Sequence, residues 1–238
     1  MRDIITIPFN DTDSLMIACD NSGAIGMKEK DLVHVTYETV AYYSFRVAAM
    51  ECMAAGGEPV SVVLHNFCGN EPWDELVSGI QKGLHELNLS DVRITGSTES
   101  NFSLMQSALG LVVLGKKSIA RTTELAYSNQ LKVAVVGRPL VGNEVIEQKD
   151  QVAPLSVFQE VSMIHDVMVW PVGSRGILYE INQMFPIEGF SQEMIISNVD
   201  IIKSAGPATC FLAVYDPGQE ETVMKTAGRF FNLLEIKK

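Results

Sequence analysis

VAYYSFRVAAMECMAAGGEPVSVVL, residues 40–64, is the stretch that decides the fold. From Val40 to Ala55 the apolar residues Val40, Tyr43, Val47, Met50 and Ala54 recur at helical spacing, and Gly56-Gly57-Glu58-Pro59 ends the pattern. Val60–Leu64 follows as a short, β-branched, continuously apolar run, the signature of a buried strand. The alternation extends both ways. Upstream, Ser14–Asp20 (SLMIACD) reads as a strand that runs into the turn-prone Asp20-Asn21-Ser22-Gly23, which puts Asp20 at the strand's C-terminal edge. Downstream, Leu76, Ile80, Leu84 and Leu87 mark one face of a helix over Trp73–Leu87. Asp91–Thr95 starts a strand leading into the loop Gly96–Asn101, and Ser107–Leu114 is a further strand ending at Gly115-Lys116-Lys117. Strands and helices in this order predict an α+β fold of α/β layers, a mixed sheet with helices on one face.

A connector over Ala120–Gln130 separates this unit from a second. There, Leu131–Val136 is a strand, Gly137, Pro139 and Gly142 form a turn region, and Leu155–His165 is a helix. Val172-Gly173-Ser174-Arg175-Gly176 introduces a helix over Ile177–Met184. Ala208–Tyr215 reads as a late buried strand and Glu220–Asn232 as a final helix. The expected division is two domains, residues 1–124 and a short second domain over 125–238.

The chain has 238 residues, 47% of them hydrophobic and 20% charged, with a formal net charge of −11. Such a surface repels polyphosphate backbones and anionic membranes, so neither nucleic acid nor a membrane is expected as partner. An anionic substrate then needs a local device such as a divalent cation or a helix N-terminus. No apolar stretch approaches the about 20 residues of a membrane helix, and Met1–Asn10 lacks the pattern of a secretory signal, so the expected compartment is the cytoplasm. The four cysteines form no CxxC pair, and Cys19, Cys52 and Cys210 sit among apolar or small neighbours as expected buried thiols. The four histidines show no zinc spacing, and neither GxSxG nor a Walker-type GxxxxGK[ST] is present.

Several residues can carry chemistry. Asp11 and Asp13 precede the first strand and Asp20 closes it; carboxylates gathered at an open mouth suit Mg²⁺, although each also suits a turn. Glu51 lies amid Ala48-Ala49-Met50 and Cys52-Met53-Ala54-Ala55, where a carboxylate must be paired, coordinated or turned outward. Gly96-Ser97-Thr98-Glu99 has the small residues that let backbone N–H groups approach a phosphate, and Gly173-Ser174-Arg175-Gly176 offers Arg175 as a phosphate clamp. Ser and Thr in turns and a surface arginine are the structural alternatives.

Taken in order, these segments resemble the aminoimidazole ribonucleotide synthetase-like superfamily over most of the chain. Asn10-Asp11-Thr12-Asp13 resembles its acidic pair before the first strand. Cys19–Lys28 resembles its strand-end Asp with a Gly-x-x-Gly-x-Lys turn, here Asp20, Gly23, Gly26 and Lys28. Ala48–Pro59 resembles its Asn-x-x-Asp-Leu-x-x-x-Gly-Ala-x-Pro helix, with Glu51 at the metal-binding acid. Ile94–Glu99 resembles its Gly-Gly-(Asp/Glu)-Thr loop, with Ser97 replacing the acid, which implies a metal held by Glu99 instead or by fewer carboxylates. His165-Asp166-Val167 and Gly173–Leu178 resemble its His-Asp and Gly-Gly-Leu elements.

The resemblance implies a two-domain subunit that dimerises through its N-terminal sheet, binds ATP with Mg²⁺ and uses a phosphoryl group on a small molecule. It implies catalytic roles for Asp20 and Glu51, and metal contacts from Asp11, Asp13, Asp20, Glu51 and Glu99. Nucleotide contacts would come from Gly23, Gly26, Lys28, Gly96, Ser97, Thr98 and Arg175. Within the superfamily the chain most resembles the compact α-ribazole kinases of corrinoid salvage, which phosphorylate a ribose 5′-hydroxyl. The alternatives are a thiamine monophosphate kinase-like enzyme and a nucleotide-binding regulatory module without turnover, which Ser97 favours.

Overall fold

The structure, a computed structural model, describes residues 4–121 and 125–237. It divides into two compact units that meet in sequence near residue 122. Among the described residues no helix is long and apolar enough to cross a membrane.

The first unit contains β1 (Ile4–Pro8), β2 (Asp13–Gly23), β3 (Ile25–Gly26), β4 (Val33–His34), α1 (Tyr37–Ala54), β5 (Glu58–Asn66), α2 (Trp73–Glu86), β6 (Arg93–Thr98) and β7 (Ala108–Ser118). Its main sheet has the order β1-β2-β7-β5-β6, in which only β5 and β6 pair in parallel. Alternation along the strands sorts the two faces. Met16 and Ala18 of β2, Val62 and Leu64 of β5, and Leu111 and Val113 of β7 are fully or almost fully buried on the side that carries α1. Leu15, Ile17, Val63, Val112 and Leu114 alternate with them and stay half-buried on the opposite, open face.

β2 is longer than its composition suggests. Asn21, Ser22 and Gly23 continue the ladder opposite Gly110, Leu109 and Ala108, so Asp20 is an interior strand residue, not a strand end. Pairing with β7 overrides the turn propensity of Asp20-Asn21-Ser22-Gly23. Likewise Gly96, Ser97 and Thr98 belong to β6, opposite Leu64, His65 and Asn66, rather than to a loop. Cys19 faces the open side opposite Val112 and is exposed, whereas Cys52 and Cys210 are buried as expected. Burial pushes the Cys52 thiol up to about 12.

The second unit contains β8 (Lys132–Gly137), α3 (Glu144–Glu147), α4 (Leu155–Ser162), β9 (Val167–Pro171), α5 (Gly176–Met184), β10 (Ile195–Ser197), β11 (Cys210–Tyr215), α6 (Glu220–Ala227) and β12 (Phe231–Ile236). The sheet order is β10-β12-β8-β11-β9, all antiparallel. Val133, Val135, Leu212 and Val214 share one core with Ile177 and Ile181 of α5. On the other face Phe211 meets Phe158 of α4 edge-on, ring centroids 5.0 Å apart. The helix expected over Glu220–Asn232 stops at Ala227. Gly228 takes φ +54°, and Phe231–Ile236 becomes the strand β12 beside β8.

Candidate functional site

β2 runs antiparallel to β7, β7 antiparallel to β5, and β5 parallel to β6, so the carboxyl ends of β2, β5 and β6 lie along one edge of the sheet. The amino end of α1 reaches the same edge, where the Tyr37 hydroxyl lies 3.1 Å from Ser107 Oγ at the start of β7. Ligands of open sheets collect at such edges. Here a pocket of about 760 Å³ opens, lined by Met27, Lys28, Thr36 and Tyr37, by the β5–α2 segment from Phe67 to Pro72 with Glu75, and by the β6–β7 loop from Glu99 to Leu104.

The loops are held by a few buried groups. Asp31, only 6% exposed, accepts from the Ser107 N–H at 2.7 Å, the Ser107 hydroxyl at 2.7 Å and the Lys28 N–H at 2.8 Å. Its burial works against the charge, but these donors outweigh it and hold the carboxyl below its ordinary range. Gly26 has φ +153°, and a Cβ there would come within 2.5 Å of Ser107 Oγ, so this turn requires glycine. Asn66, 1% exposed, donates to the Gly69 carbonyl at 2.7 Å and to Thr98 Oγ1 at 3.1 Å, while its Oδ1 accepts from the Cys68 N–H at 2.8 Å. The Lys28 ammonium donates to the carbonyls of Leu104, at 3.0 Å, and Phe67, at 3.4 Å, tying both loops together. Glu99 Oε1 accepts from the N–H groups of Asn101, at 2.7 Å, and Phe102, at 3.2 Å.

Of the residues assigned to a site from sequence, Lys28 and Glu99 line the pocket. Thr98 supports it through Asn66, and Gly26 through the turn against Ser107. Ser97 projects to the open face opposite His65, away from its neighbour Thr98, so Ser97 and Thr98 do not form one phosphate cradle. Gly96 approaches β5 so closely that a Cβ would lie 2.0 Å from the Leu64 carbonyl oxygen, a packing reason for the glycine. Gly23 closes β2 as an exposed residue.

The expected mouth of carboxylates is corrected by strand geometry. Asp11 lies in the exposed β1–β2 turn, where Asn10 Oδ1 accepts from the N–H groups of Thr12 and Asp13, each at 2.8 Å. Asp13 opens β2 and pairs with Lys116 at 3.2 Å. Burial raises its pKa, but the Thr12 hydroxyl and the Lys116 ammonium bring the net shift below the ordinary value. Seven residue steps of extended strand, about 23 Å, separate Asp13 from Asp20. Asp20 is on the helix-bearing face of β2, and β7 and β5 intervene between it and β6, a lateral distance of about 14 Å. Glu51 is in the last turn of α1, next to Cys52, whose sulfur packs over Gly57 and Gly115. Among the described residues no three His, Cys, Asp or Glu side chains gather as a metal-holding group.

In the second unit Arg175 stands just before α5, its guanidinium 4.6 Å from the Tyr179 ring centre. Gly176, φ +80°, packs against the Ile202 and Lys203 carbonyls, and His165 forms an exposed 2.7 Å pair with Asp166. Sequence reasoning missed Asp31, Asn66, the exposed Phe67 and Phe102, and Arg46, which is fully buried on α1. An isolated Asp or Arg carries no periodic signal, and Phe102 lies in a loop; Asn66, two residues past the apolar run Val60–Leu64, was the readable one.

No family model matches the chain, and no curated protein does. Solved structures do. Phosphoribosylformylglycinamidine synthase II from Thermotoga maritima is 11% identical with a TM-score of 0.67, over 100% of this chain and 43% of that one. The T. maritima PurL chain complexed with ATP is 13% identical, TM-score 0.64, over 98% of this chain and 42% of that one. Thiamine monophosphate kinase from Aquifex aeolicus is 11% identical, TM-score 0.62, over 100% of this chain and 89% of that one. The chain has the fold of these proteins. It spans less than half the length of the two synthase chains.

Proposed function

We propose that the chain is an ATP-dependent phosphotransferase acting on an alcohol group of a small nucleoside-like molecule, with the 5′-hydroxyl of α-ribazole as the leading acceptor. The observation that carries the reading is the pocket at the carboxyl edge of the first sheet, in a fold shared with an ATP-complexed chain and with a kinase. The lining is poor in cations: among the described residues Lys28 is the one basic residue in it, and its ammonium already holds two backbone carbonyls. A phosphorylated acceptor such as thiamine monophosphate would meet Glu71, Glu75 and Glu99 there, whereas a nucleoside would not be repelled. Chemistry of this kind is mostly positioning and charge placement. Mg²⁺ would arrive on the triphosphate rather than wait in a preformed site. Asp20 and Glu51 are assigned to the nucleotide half of the reaction, outside this pocket.

The test is ATP consumption with α-ribazole, thiamine monophosphate and formylglycinamidine ribonucleotide as separate acceptors, alongside thermal unfolding with and without Mg-ATP. Expected are turnover with α-ribazole, a rise in Tm with Mg-ATP that EDTA removes, and loss of that rise in Asp20→Asn or Glu51→Gln. Preference for either phosphorylated acceptor would show the acceptor assignment to be wrong. The separation of Asp13 from Asp20 along β2 favours a second reading, a nucleotide-binding regulatory module of this fold; a retained Mg-ATP shift without turnover of any acceptor selects it.

We further propose a homodimer through the open face of the first sheet. Ile5, Ile17 and Leu114 stand in one cross-strand row and Cys19, Val112 and Val63 in the next, an apolar surface that α1 does not cover.

A further inference from the structure

Two features of the edge pocket are not explained by packing. Phe102 is 78% exposed and Phe67 41% exposed, yet both line the pocket, where large apolar side chains in water mark a binding surface. The same pocket sets Glu71, Glu75 and Glu99 against the single ammonium of Lys28.

A phosphate-binding role fits this surface poorly. α2, the helix whose amino end borders the pocket, already carries Asp74 and Glu75 in its first turn and Glu71 just before its cap, so its positive end is neutralised. α1 has its amino end capped by the Thr36 side chain and carries Glu38 in its first turn. Three carboxylates against one ammonium thus line the same pocket as two phenylalanines, aromatic rings whose π faces attract cations. The volume of about 760 Å³ lies in the range of small-molecule sites and leaves room for a ring with a sugar-sized substituent.

We propose that this pocket binds a planar heteroaromatic ring carrying positive charge on a protonated or quaternised ring nitrogen, packed against Phe67 and Phe102 and facing Glu71 and Glu75. An anionic ring is rejected by the carboxylates. An alkyl ammonium of equal charge lacks the flat apolar surface that the two phenylalanines cover. The inference rests on the phosphotransferase reading only in making this ring the base of the acceptor; the benzimidazole of α-ribazole, neutral in water near neutral pH, takes up a proton on its free ring nitrogen in this pocket.

Calorimetric titration of the full chain with 1,3-dimethylbenzimidazolium, neutral 1-methylbenzimidazole and benzenesulfonate tests it. The cation is expected to bind about tenfold more tightly than its neutral analogue, the size of a good cation–π contact beside a carboxylate, and benzenesulfonate not to bind. Phe102→Ala, at an exposed loop position, should weaken the cation about fivefold with Tm unchanged, and Glu75→Gln should erase most of the preference for the cation. Equal binding of cation and neutral ring, binding of benzenesulfonate, or cation binding untouched by both substitutions would overturn the proposal. Parallel ATP-consumption assays separate the two readings. Cation binding that responds to both substitutions, without turnover of α-ribazole, removes the kinase and leaves the pocket. Turnover of α-ribazole with the same KM in Phe102→Ala leaves the kinase and removes the pocket.

Discussion

At the scale of single residues, the best-determined group of the candidate site is Asp31. It takes three donors, two from Ser107 and one from the Lys28 backbone, and so joins the turn before α1 to the start of β7. Asp31→Asn keeps the shape but points an amide toward donors at one of the two oxygens. The expected cost is about 1–3 kcal/mol of folding stability. The sign of its pH dependence follows from the lowered pKa. A carboxyl held below its ordinary 3.8 in the folded chain stabilises fully above that value, and the contribution disappears as pH falls through the folded pKa. The gap in urea midpoint between wild type and Asp31→Asn should therefore be constant near neutrality and close below about pH 4. A gap that does not change with acidity would refute the charge-based account. Asp31 was not legible beforehand because nothing in Glu29-Lys30-Asp31-Leu32 distinguishes a buried anchor from a solvated charge; only the contact with Ser107, 76 residues away, does. Lys28 and Glu99, singled out from a Gly-x-x-Gly-x-Lys turn and from the residue after Gly96-Ser97-Thr98, both line the edge pocket. Asp11 and Asp13 misled through the same chemistry, since carboxylates serve turns as well as metals.

At the scale of elements, α1, β5 and α2 were readable because periodicity and breakers agree over long runs, and their observed bounds differ from the expected ones by three residues or fewer. β12 was not: RFFNLLEI has apolar residues at spacings that satisfy either period, and the left-handed Gly228 decides it. The packing of α1 on α2 holds a second decision that propensity gets wrong. Gly79 lies in the middle of α2, where alanine normally gains about 1 kcal/mol. A Cβ there would sit 2.1 Å from the Glu38 carbonyl oxygen and 2.9 Å from the Tyr42 nitrogen, both backbone atoms of α1. Gly83 meets the Phe45 ring in the same way, with a Cβ 2.3 Å from Cδ1. Backbone cannot step aside as a side chain can, so the helices must separate. Gly79→Ala is expected to destabilise by about 1–3 kcal/mol, read from denaturant midpoints, despite the better helix former. A stabilised Gly79→Ala would mean that α1 and α2 pack less closely than described.

At the scale of the whole molecule, the order strand, helix, strand, helix, strand, strand, then a second unit, was readable in the sequence, and the chain has the fold of the solved structures at 11–13% identity. Dimerisation through the first sheet was implied by the resemblance alone, since the sequence does not say which side of a sheet is left bare. The bare side is the open face of the first sheet, and its charge differs from that of the chain. Against a net charge of −11, the charged residues of its central rows are Arg93 and Lys116, with Glu58 opposite Lys116 and Asp13 ion-paired to it. In the proposed dimer a copy of the same face would meet little like-charge repulsion there and would cover Ile5, Ile17, Leu114, Val112 and Val63. Cys19 lies in this surface beside Val112, and Cys68 lines the edge pocket instead. The two thiols thus form a built-in reporter and control. Brief alkylation followed by peptide mass analysis should show Cys19 labelling slowing as protein concentration rises, while Cys68 labelling stays constant, and sedimentation should show the mass doubling over the same range. Cys19 reactivity independent of concentration, with a monomer mass throughout, would remove the dimer. Because Cys19→Asp would place like charges at the centre of the paired faces, that variant is expected to stay monomeric while keeping the folded spectrum of the wild type, which distinguishes loss of the interface from loss of the fold.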